Sequence, residues 1–549
     1  MRKMQIKNVS SLEKIFPEME CRVSTCNRES ALMGEEYSYQ IAFKMQDGMP
    51  YAERLGLEVI SDIADCVCIH NVRYVPVIVP RYHENCDSGY ISDMPGLYPD
   101  ILEEYTDYVM VSSRKYNALW VSVKLSKGVG AGVHEIKVLF KKGEEIYGES
   151  VFTLDVIDAV IPKLDIPYTD WFHCDCISSY YGCEPLSETH WQLIDKYMQV
   201  ASENGMNMIF TPIFTPPLDT LVGGERPTVQ LVDVYLKDGV YSFGFEKLIK
   251  WLEICRKNNF EYIEISHLYT QWGAGHAPKI IVSENGREFK KFGWETDALG
   301  EDYKEFMTNM IPALTEVLEK HWDKQKVYFH IADEPYEDHI EHYGEIYNFI
   351  KPLIEGYNQI DALSNYELYQ KGYIQTPVVA TSEINPFIEN NVENKWAYYC
   401  CSQGGFNLSN RFIAMPSARN RIIGIQLYKY AIKGFLHWGY NFYYSQFSHH
   451  LINPYITNDA DGGFPAGDTF GVYPARDGAI PSLRIKVFKS ALQDLMAFKL
   501  LESYIGKDAV MEILEREGEF DFNSYPEDSD YIIKTREIVN SKIRDYIYN

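Results

Sequence analysis

From residue 166 onward the chain alternates short apolar runs, rich in β-branched and aromatic residues, with longer segments of helical periodicity. Runs of that length bounded by turn residues read as buried strands, and i, i+3, i+4, i+7 stripes read as helices with one face on a core. Strands are predicted at 166–173, 206–214, 262–267, 327–332, 360–364, 378–381, 396–400 and 434–439. The first intervening helix starts at Ser187, an N-cap residue type, and stops at Gly205, a C′ residue type. The second carries Phe245, Leu248, Ile249, Leu252 and Cys255 on one stripe; the third carries Tyr303, Phe306, Met307, Met310, Leu314 and Val317. Another helix is expected over 419–432, while those after strands five and six read as short or irregular. Repeated strand–helix units commit a chain to a parallel sheet covered by helices, and eight of them predict a (β/α)8 TIM barrel over 161–452. A doubly wound open sheet is the alternative, but no glycine-rich phosphate loop follows the first strand.

Residues 1–160 follow a different rule. Short strand-like runs at 37–43, 72–79, 118–123, 136–140 and 151–156 alternate with turn residues, and helical periodicity is nearly absent. This predicts an N-terminal β-sandwich ending at Ile161-Pro162-Lys163. At the other end, 453–549 opens with a Gly/Asp/Pro-rich stretch to 481, expected to be a lid loop. An amphipathic helix over 482–502 follows, and then a charged helical tail expected to pack on the outside of the barrel. The fold class is therefore multidomain β plus α/β: a sandwich, a barrel and a C-terminal helical extension. A length of 549 residues is too great for one ordinary core.

Charge narrows the partners. With 78 acids against 52 bases the formal net charge is −26, which argues against nucleic acid and against an anionic membrane surface. Met1-Arg2-Lys3-Met4-Gln5-Ile6-Lys7 has no apolar run behind its positive charge, so no secretory signal is read there. No stretch offers eighteen uninterrupted apolar residues, so no membrane insertion is expected and a cytoplasmic location is. Eleven cysteines, an odd number, are expected as reduced thiols. Cys66/Cys68, Cys174/Cys176 and Cys400/Cys401 lack the C-x-x-C spacing of a zinc site, so neither a metal nor another cofactor is expected. Nothing in the composition fixes an oligomeric state.

The fourth predicted strand ends in Asp333-Glu334-Pro335. Acids there also suit a helix start, where they answer the macrodipole, but the C-terminal ends of barrel strands are where such enzymes hold their chemistry. Neighbouring Cα atoms lie only about 3.8 Å apart, and alternate side chains diverge. Acids that flank one anomeric carbon must be about 5–5.5 Å apart in retaining glycosidases and about 6.5–9.5 Å apart in inverting ones. Consecutive acids are better placed on one side of a substrate, at different atoms. That suits substrate-assisted cleavage, in which a 2-acetamido group attacks its own anomeric carbon. Asp333 would steady the resulting oxazolinium and Glu334 would exchange protons with the leaving oxygen and then water. The rival is an ordinary retaining barrel glycosidase with its nucleophile at the end of strand seven. That strand offers no carboxylate, leaving Glu383 and Glu367 as substitutes.

Five stretches recur in order: His330-Ile331-Ala332-Asp333-Glu334-Pro335, Tyr398-Tyr399-Cys400-Cys401, Gly434-Phe435-Leu436-His437-Trp438-Gly439-Tyr440-Asn441, Gly467-Asp468-Thr469-Phe470-Gly471-Val472-Tyr473-Pro474 and Ser482-Leu483-Arg484. On them the chain resembles glycoside hydrolase family 123, the β-N-acetylgalactosaminidases, over about residues 150 to 500. The resemblance implies a carbohydrate substrate. It further implies retaining, exo-acting, substrate-assisted release of terminal β-linked N-acetylgalactosamine from glycolipid-type glycans, with Asp333 and Glu334 in the roles above. One departure is Ala491-Leu492-Gln493-Asp494-Leu495, where relatives tend to carry an acidic-aromatic run. Substrate-binding candidates are Trp438 as a pocket floor, Asn441 and His267 as partners of sugar hydroxyls, Tyr399 as a donor to the acetamide carbonyl, and Trp171, with His173, at the end of strand one. Each has a plainer alternative, namely barrel packing, a turn, a core histidine or a buried tyrosine bonded to backbone. Asp468 is expected to be structural, and Trp272 joins His267 in bracketing strand three. A hydrolase of another β-glycoside, or a non-catalytic carbohydrate-binding protein, are the competing functions.

Overall fold

A computed structural model describes residues 3–18, 25–47, 52–82, 86–125, 128–335 and 337–548. All eight predicted strands form one parallel sheet. Its order is strand one (Tyr168–Asp170), eight (Phe435–His437), seven (Trp396–Tyr398), six (Thr376–Ala380), five (Asn358–Leu363), four (Val327–Phe329), three (Tyr262–Ile265) and two (Met208–Thr211). The two edges meet through Asn207, which follows them into register. Its backbone N–H donates to the Tyr168 carbonyl at 3.3 Å, and its Oδ1 accepts from the Tyr168 N–H at 2.7 Å. The sheet is thus nearly closed on itself.

Helices lie between consecutive strands because their apolar stripes must be buried against the sheet. Glu188–Glu203 begins at Ser187, whose hydroxyl accepts from the His190 N–H, and ends before Gly205, which sits at φ 96°. Glu246–Lys257 and Glu301–His321 carry the other two predicted stripes. The helices after strands five and six, Tyr366–Gln370 and Asn385–Glu389, are five residues each, as irregular as the sequence suggested. The segment predicted as one helix over 419–432 is two, Ser417–Arg421 and Ile423–Lys429.

The strands divide their side chains strictly by parity, as a pleated strand must. Met208, Phe210, Val378, Ala380, Trp396, Tyr398 and Leu436 meet in an inner cluster. Ile209, Val379, Ala397, Tyr399 and Phe435 point the other way and join the core beneath the helices. Tyr398 and Tyr399 therefore serve opposite faces.

A four-stranded sheet absent from the sequence reading rises from the loops after strands two and three. Asp233–Lys237 pairs with Val240–Gly244 and Ile280–Glu284, and the latter with Arg287–Phe292. The N-terminal region holds two five-stranded sheets, and the five predicted runs fall on their strands, though the one predicted over 72–79 stops at Val77. Tyr39, Ile41, Phe43, Leu119, Val121 and Val123 of one sheet share a buried cluster with Ile136, Val138, Phe140, Phe152 and Leu154 of the other. Tyr39 stacks on Phe152 with ring centroids 4.0 Å apart.

The C-terminal tail packs on helices Leu483–Ile505 and Ser417–Arg421 and on strands of the N-terminal region. Helix Ser529–Tyr548 reaches the N-terminal strands, where the Ser30 N–H donates to Glu537 at 2.8 Å and Asn540 donates to the Ser30 carbonyl at 3.2 Å. Arg536 bridges Glu35 and Asp494, the latter at 3.0 Å. Asp494 also pairs with Arg421 at 2.7 Å, so the departure around residue 494 builds a structural joint. Helix Leu483–Ile505 is capped by Ser482, whose hydroxyl accepts from the Ile485 N–H at 3.2 Å. Ser482→Ala is expected to cost about 1 kcal/mol of stability, read as a lower denaturation midpoint with activity per folded molecule unchanged. No described helix is long and apolar enough to cross a membrane.

Candidate active site

A pocket of about 190 Å³ opens at the C-terminal ends of the strands. Trp171 enters it from strand one, Leu218 and Asp219 from the loop after strand two, and Gln271 and Trp272 from the loop after strand three. Asp333 and Glu334 follow strand four, Tyr398, Cys400, Cys401 and Ser402 come from strand seven, and Leu436 and Trp438 from strand eight, with Phe464 from the long loop beyond.

The acidic pair is held by what precedes it. The ladder of strand four stops at Phe329, yet the chain stays bonded to the loop after strand three. Leu268, Tyr269 and Trp272 donate backbone N–H bonds to the carbonyls of His330, Ile331 and Asp333 at 3.2, 3.0 and 2.9 Å. From the other side, Asp361 accepts the N–H groups of Ile331 and Ala332 at 2.9 and 3.2 Å. The chain then turns at Glu334 with φ 45°, a left-handed conformation rare outside glycine. Asp219 at φ 41° and Trp272 at φ 57° line the same pocket. Such strain persists only where surrounding structure imposes it, and it gathers at working sites.

Electrostatics single out the same residues. Burial raises the Asp333 carboxyl well above the usual range, and the charge of Glu334 adds to this, while His330 opposes it. Burial also raises Glu334, against which the Tyr398 hydroxyl donates a hydrogen bond at 2.6 Å. Two adjacent half-buried acids resist ionising together, so the pair holds one proton more readily than none. Asp219 is pushed up to about 6 by burial, offset in part by the Phe447 N–H that donates to it at 3.0 Å.

The aromatic walls are tied from behind. Trp171 Nε1 donates to Glu264 at 2.8 Å, and Trp438 Nε1 donates to Asp468 at 2.9 Å. Asp468 is thereby a structural anchor, buried and pushed up to about 7 by that burial.

Of the residues picked from sequence, Asp333, Glu334, Trp171, Trp438 and Trp272 come together here. Three do not. Tyr399 is fully buried on the outer face of the sheet against Phe435 and His437, and Tyr398 takes its expected place. Asn441 is also fully buried; its side chain accepts from the His173 N–H at 2.8 Å and donates to the His173 carbonyl at 3.1 Å, bracing two strand ends. His267 lies under the floor, stacked on His330 with centroids 4.4 Å apart. His173 is likewise buried, its Nε2 2.8 Å from the Trp438 carbonyl. Asp219, Gln271 and Tyr398 went unread. The two substitute acids diverge: Glu383 is exposed in an adjoining cleft that shares Glu334 and Tyr398, while Glu367 lines neither space. Among the described residues no group of three or more His, Cys, Asp or Glu side chains is placed to hold a metal ion.

Comparison with known proteins agrees with this picture. The family model described as glycoside hydrolase 123, catalytic domain, matches residues 171–501. A family 123 glycoside hydrolase from Clostridium perfringens, studied for glycolipid glycan hydrolysis, superposes over 100% of this chain and 98% of its own, at a TM-score of 0.73 and 14% identity. That likeness speaks to fold. A family 39 glycoside hydrolase from Bacteroides cellulosilyticus WH2 covers 80% of either chain at a TM-score of 0.32 and 11% identity, too loose to bear on the site. No curated protein matches the chain.

Proposed function

Since the chain belongs to glycoside hydrolase family 123, we propose that it is an exo-acting, retaining hydrolase that releases terminal β-linked N-acetylgalactosamine, glycolipid-type glycans being its substrate class. The observation that carries this reading is that consecutive acids, Asp333 and Glu334, line one small aromatic pocket. We read the nearly closed sheet as a (β/α)8 barrel over 161–452, with a sandwich domain at 1–160 and a lid loop and helices at 453–549.

The sugar sits between Trp171 and Trp438, its apolar faces against their rings. The acetamide carbonyl oxygen attacks the anomeric carbon as the bond to the leaving oxygen breaks, and that oxygen takes the proton of Glu334. Asp333, as the anion, accepts from the amide N–H and offsets the positive charge that grows on the ring being formed. Tethering makes this nucleophile effective at far above any free concentration. A water then gives its proton to Glu334 and attacks the same face that the leaving group left, which restores the acetamide with retention. Tyr398 stabilises Glu334 when it is charged, hence its strength as an acid.

This assigns Tyr398 a measurable effect. Glu334 must hold its proton, so activity falls as pH rises through its pKa. Without the Tyr398 hydroxyl that pKa rises further. Tyr398→Phe is expected to move the alkaline limb of kcat/KM to higher pH and lower kcat by about 10–100-fold, the worth of one hydrogen bond to a charged group.

Asp219 supports a second reading, in which it attacks the sugar directly. Burial pushes its pKa up to about 6, so below that pH most of it is protonated and unable to attack. A panel of aryl β-glycosides with and without the 2-acetamido group separates the two. The first reading expects cleavage only with the acetamide and tight inhibition by a thiazoline mimic of the cyclised intermediate. A sugar ester trapped on Asp219 would replace it with the second.

A further inference from the structure

Beneath the acidic pair lies a second, wholly buried charge cluster that touches no substrate. His330 Nε2 is 2.6 Å from Glu264 Oε1, and its Nδ1 is 3.4 Å from Asp361 Oδ1. All three side chains have no exposed surface. Glu264 also accepts from Thr169 at 2.6 Å and from Trp171 at 2.8 Å. Asp361 also accepts from Gln359 at 2.9 Å and from Tyr343. Both carboxylates are thus well supplied with donors; the ring between them is in hydrogen-bond reach of Glu264 at Nε2, while Nδ1 stands at ion-pair distance from Asp361 without a hydrogen bond. A buried carboxylate pair demands a cation, and among the described residues no Lys or Arg lines the pocket above it.

We propose that His330, held as an imidazolium between Glu264 and Asp361, is a positioning residue that keeps the negative charge of the catalytic pair on Asp333. The inference rests on the reading of Asp333 as the anion that steadies the oxazolinium. The groups around the ring keep it charged, and its charge lowers the pKa of the Asp333 carboxyl, against the Asp361 carboxylate, which raises it. Strand three supplies Glu264 below and the loop after it supplies His267, stacked on the ring and driven well below its ordinary pKa by burial and by the charge of His330. Strand five supplies Asp361. Strands one and two supply only the rings of Trp171 and Phe210. On its own strand the charge of the ring acts on Asp333, three residues on, and lowers the pKa of that carboxyl. Burial alone would lower the His330 pKa, but the two carboxylates reverse this and raise it to about 9. Asp361 further ties the charge to position, since it grips the two N–H groups immediately before Asp333. Charge and backbone are set by one cluster, which explains why a chain would bury three ionised groups at considerable desolvation cost.

The test uses the full chain with 15N-labelled histidine. One ring, absent from His330→Asn, is expected to stay protonated on both nitrogens through pH 8, and Glu264→Gln is expected to let it lose that proton at lower pH. In kinetics, Asp333 must be ionised, so losing a nearby cation raises its pKa. His330→Asn should therefore move the acid limb of kcat/KM on 4-nitrophenyl β-N-acetylgalactosaminide to higher pH by about 1 unit or more. kcat should fall at least about tenfold, with KM within about threefold of wild type. A merely structural histidine would alter stability and leave the limb in place. A neutral His330 at pH 7, or an unmoved limb in folded His330→Asn, overturns the proposal; should that variant not fold, the ring is identified by its response to Glu264→Gln and its protonation in wild type decides. If wild type ignores 2-acetamido glycosides, the sugar assignment falls separately, and the limb is read on whichever aryl glycoside it cleaves.

Discussion

Glu334→Gln is expected to lower kcat/KM by about 10²–10⁴ on substrates whose leaving group is another sugar, and much less on a 2,4-dinitrophenyl glycoside. A sugar alkoxide cannot depart without a proton, whereas a dinitrophenolate departs without help. Gln preserves the volume, the acceptor for Tyr398 and the left-handed backbone at φ 45°, so the comparison isolates the proton. The second half-reaction also slows, since no base is left to activate water. Azide, which needs no base, should then intercept the cyclised intermediate and give a β-glycosyl azide. A uniform loss across all leaving groups would show that Glu334 is not the proton donor.

Much of the scaffold was legible because a parallel strand covered on both faces must be apolar throughout, and such runs stand out. The run ends were less so. Residues 330–332 are as buried as the ladder before them, but they pack under the pocket instead of pairing in regular register. A continuous apolar run also conceals which face each side chain takes. That is why Tyr399 was chosen over Tyr398: nothing between two adjacent tyrosines says which points inward, and only the register of Ala397 against Phe435 decides it. The four-stranded sheet was missed because its strands are short and partly polar. A signal was present in Asp238-Gly239 and Asn285-Gly286, both with positive φ at each residue. Such pairs are strong hairpin signs when flanked by alternating residues. Asp219 left no comparable trace. Its loop is fixed by Phe447 and Ser448, over two hundred residues away, and by Gln271, and no local pattern encodes that.

The tail illustrates a different limit. The tail was expected to be helical without bounds, and Ser529–Tyr548 is a helix, but periodicity reports a buried face and never its partner. Arg536, Glu537 and Asn540 find theirs on the first strands of the chain.

Asp333→Asn should lose about 10²–10³ or more in kcat, by the same factor for every leaving group. Its partner is the oxazolinium, whose charge grows however readily the aglycone departs. This flat dependence is the mirror of the steep one expected at Glu334, and together they assign a role to each of two adjacent acids. Thiazoline affinity should fall in step with kcat, while substrate binding changes little. Stability should move the opposite way. Burial and the Glu334 charge raise the Asp333 pKa in the folded chain above its ordinary value of 3.8. The folded state then binds that proton more tightly than the unfolded one, so stability declines as pH rises from the unfolded value towards the folded one. Asn carries no such penalty. The variant is therefore expected to be more stable than wild type at neutral pH, with the difference vanishing below about pH 4 where both forms are uncharged. An inactive protein that melts higher at pH 7 and equally at pH 3.5 would mean that the chain holds this carboxylate against its own stability, as catalytic groups are held. Retained activity in Asp333→Asn would instead remove the substrate-assisted scheme and return the search for a nucleophile to Asp219.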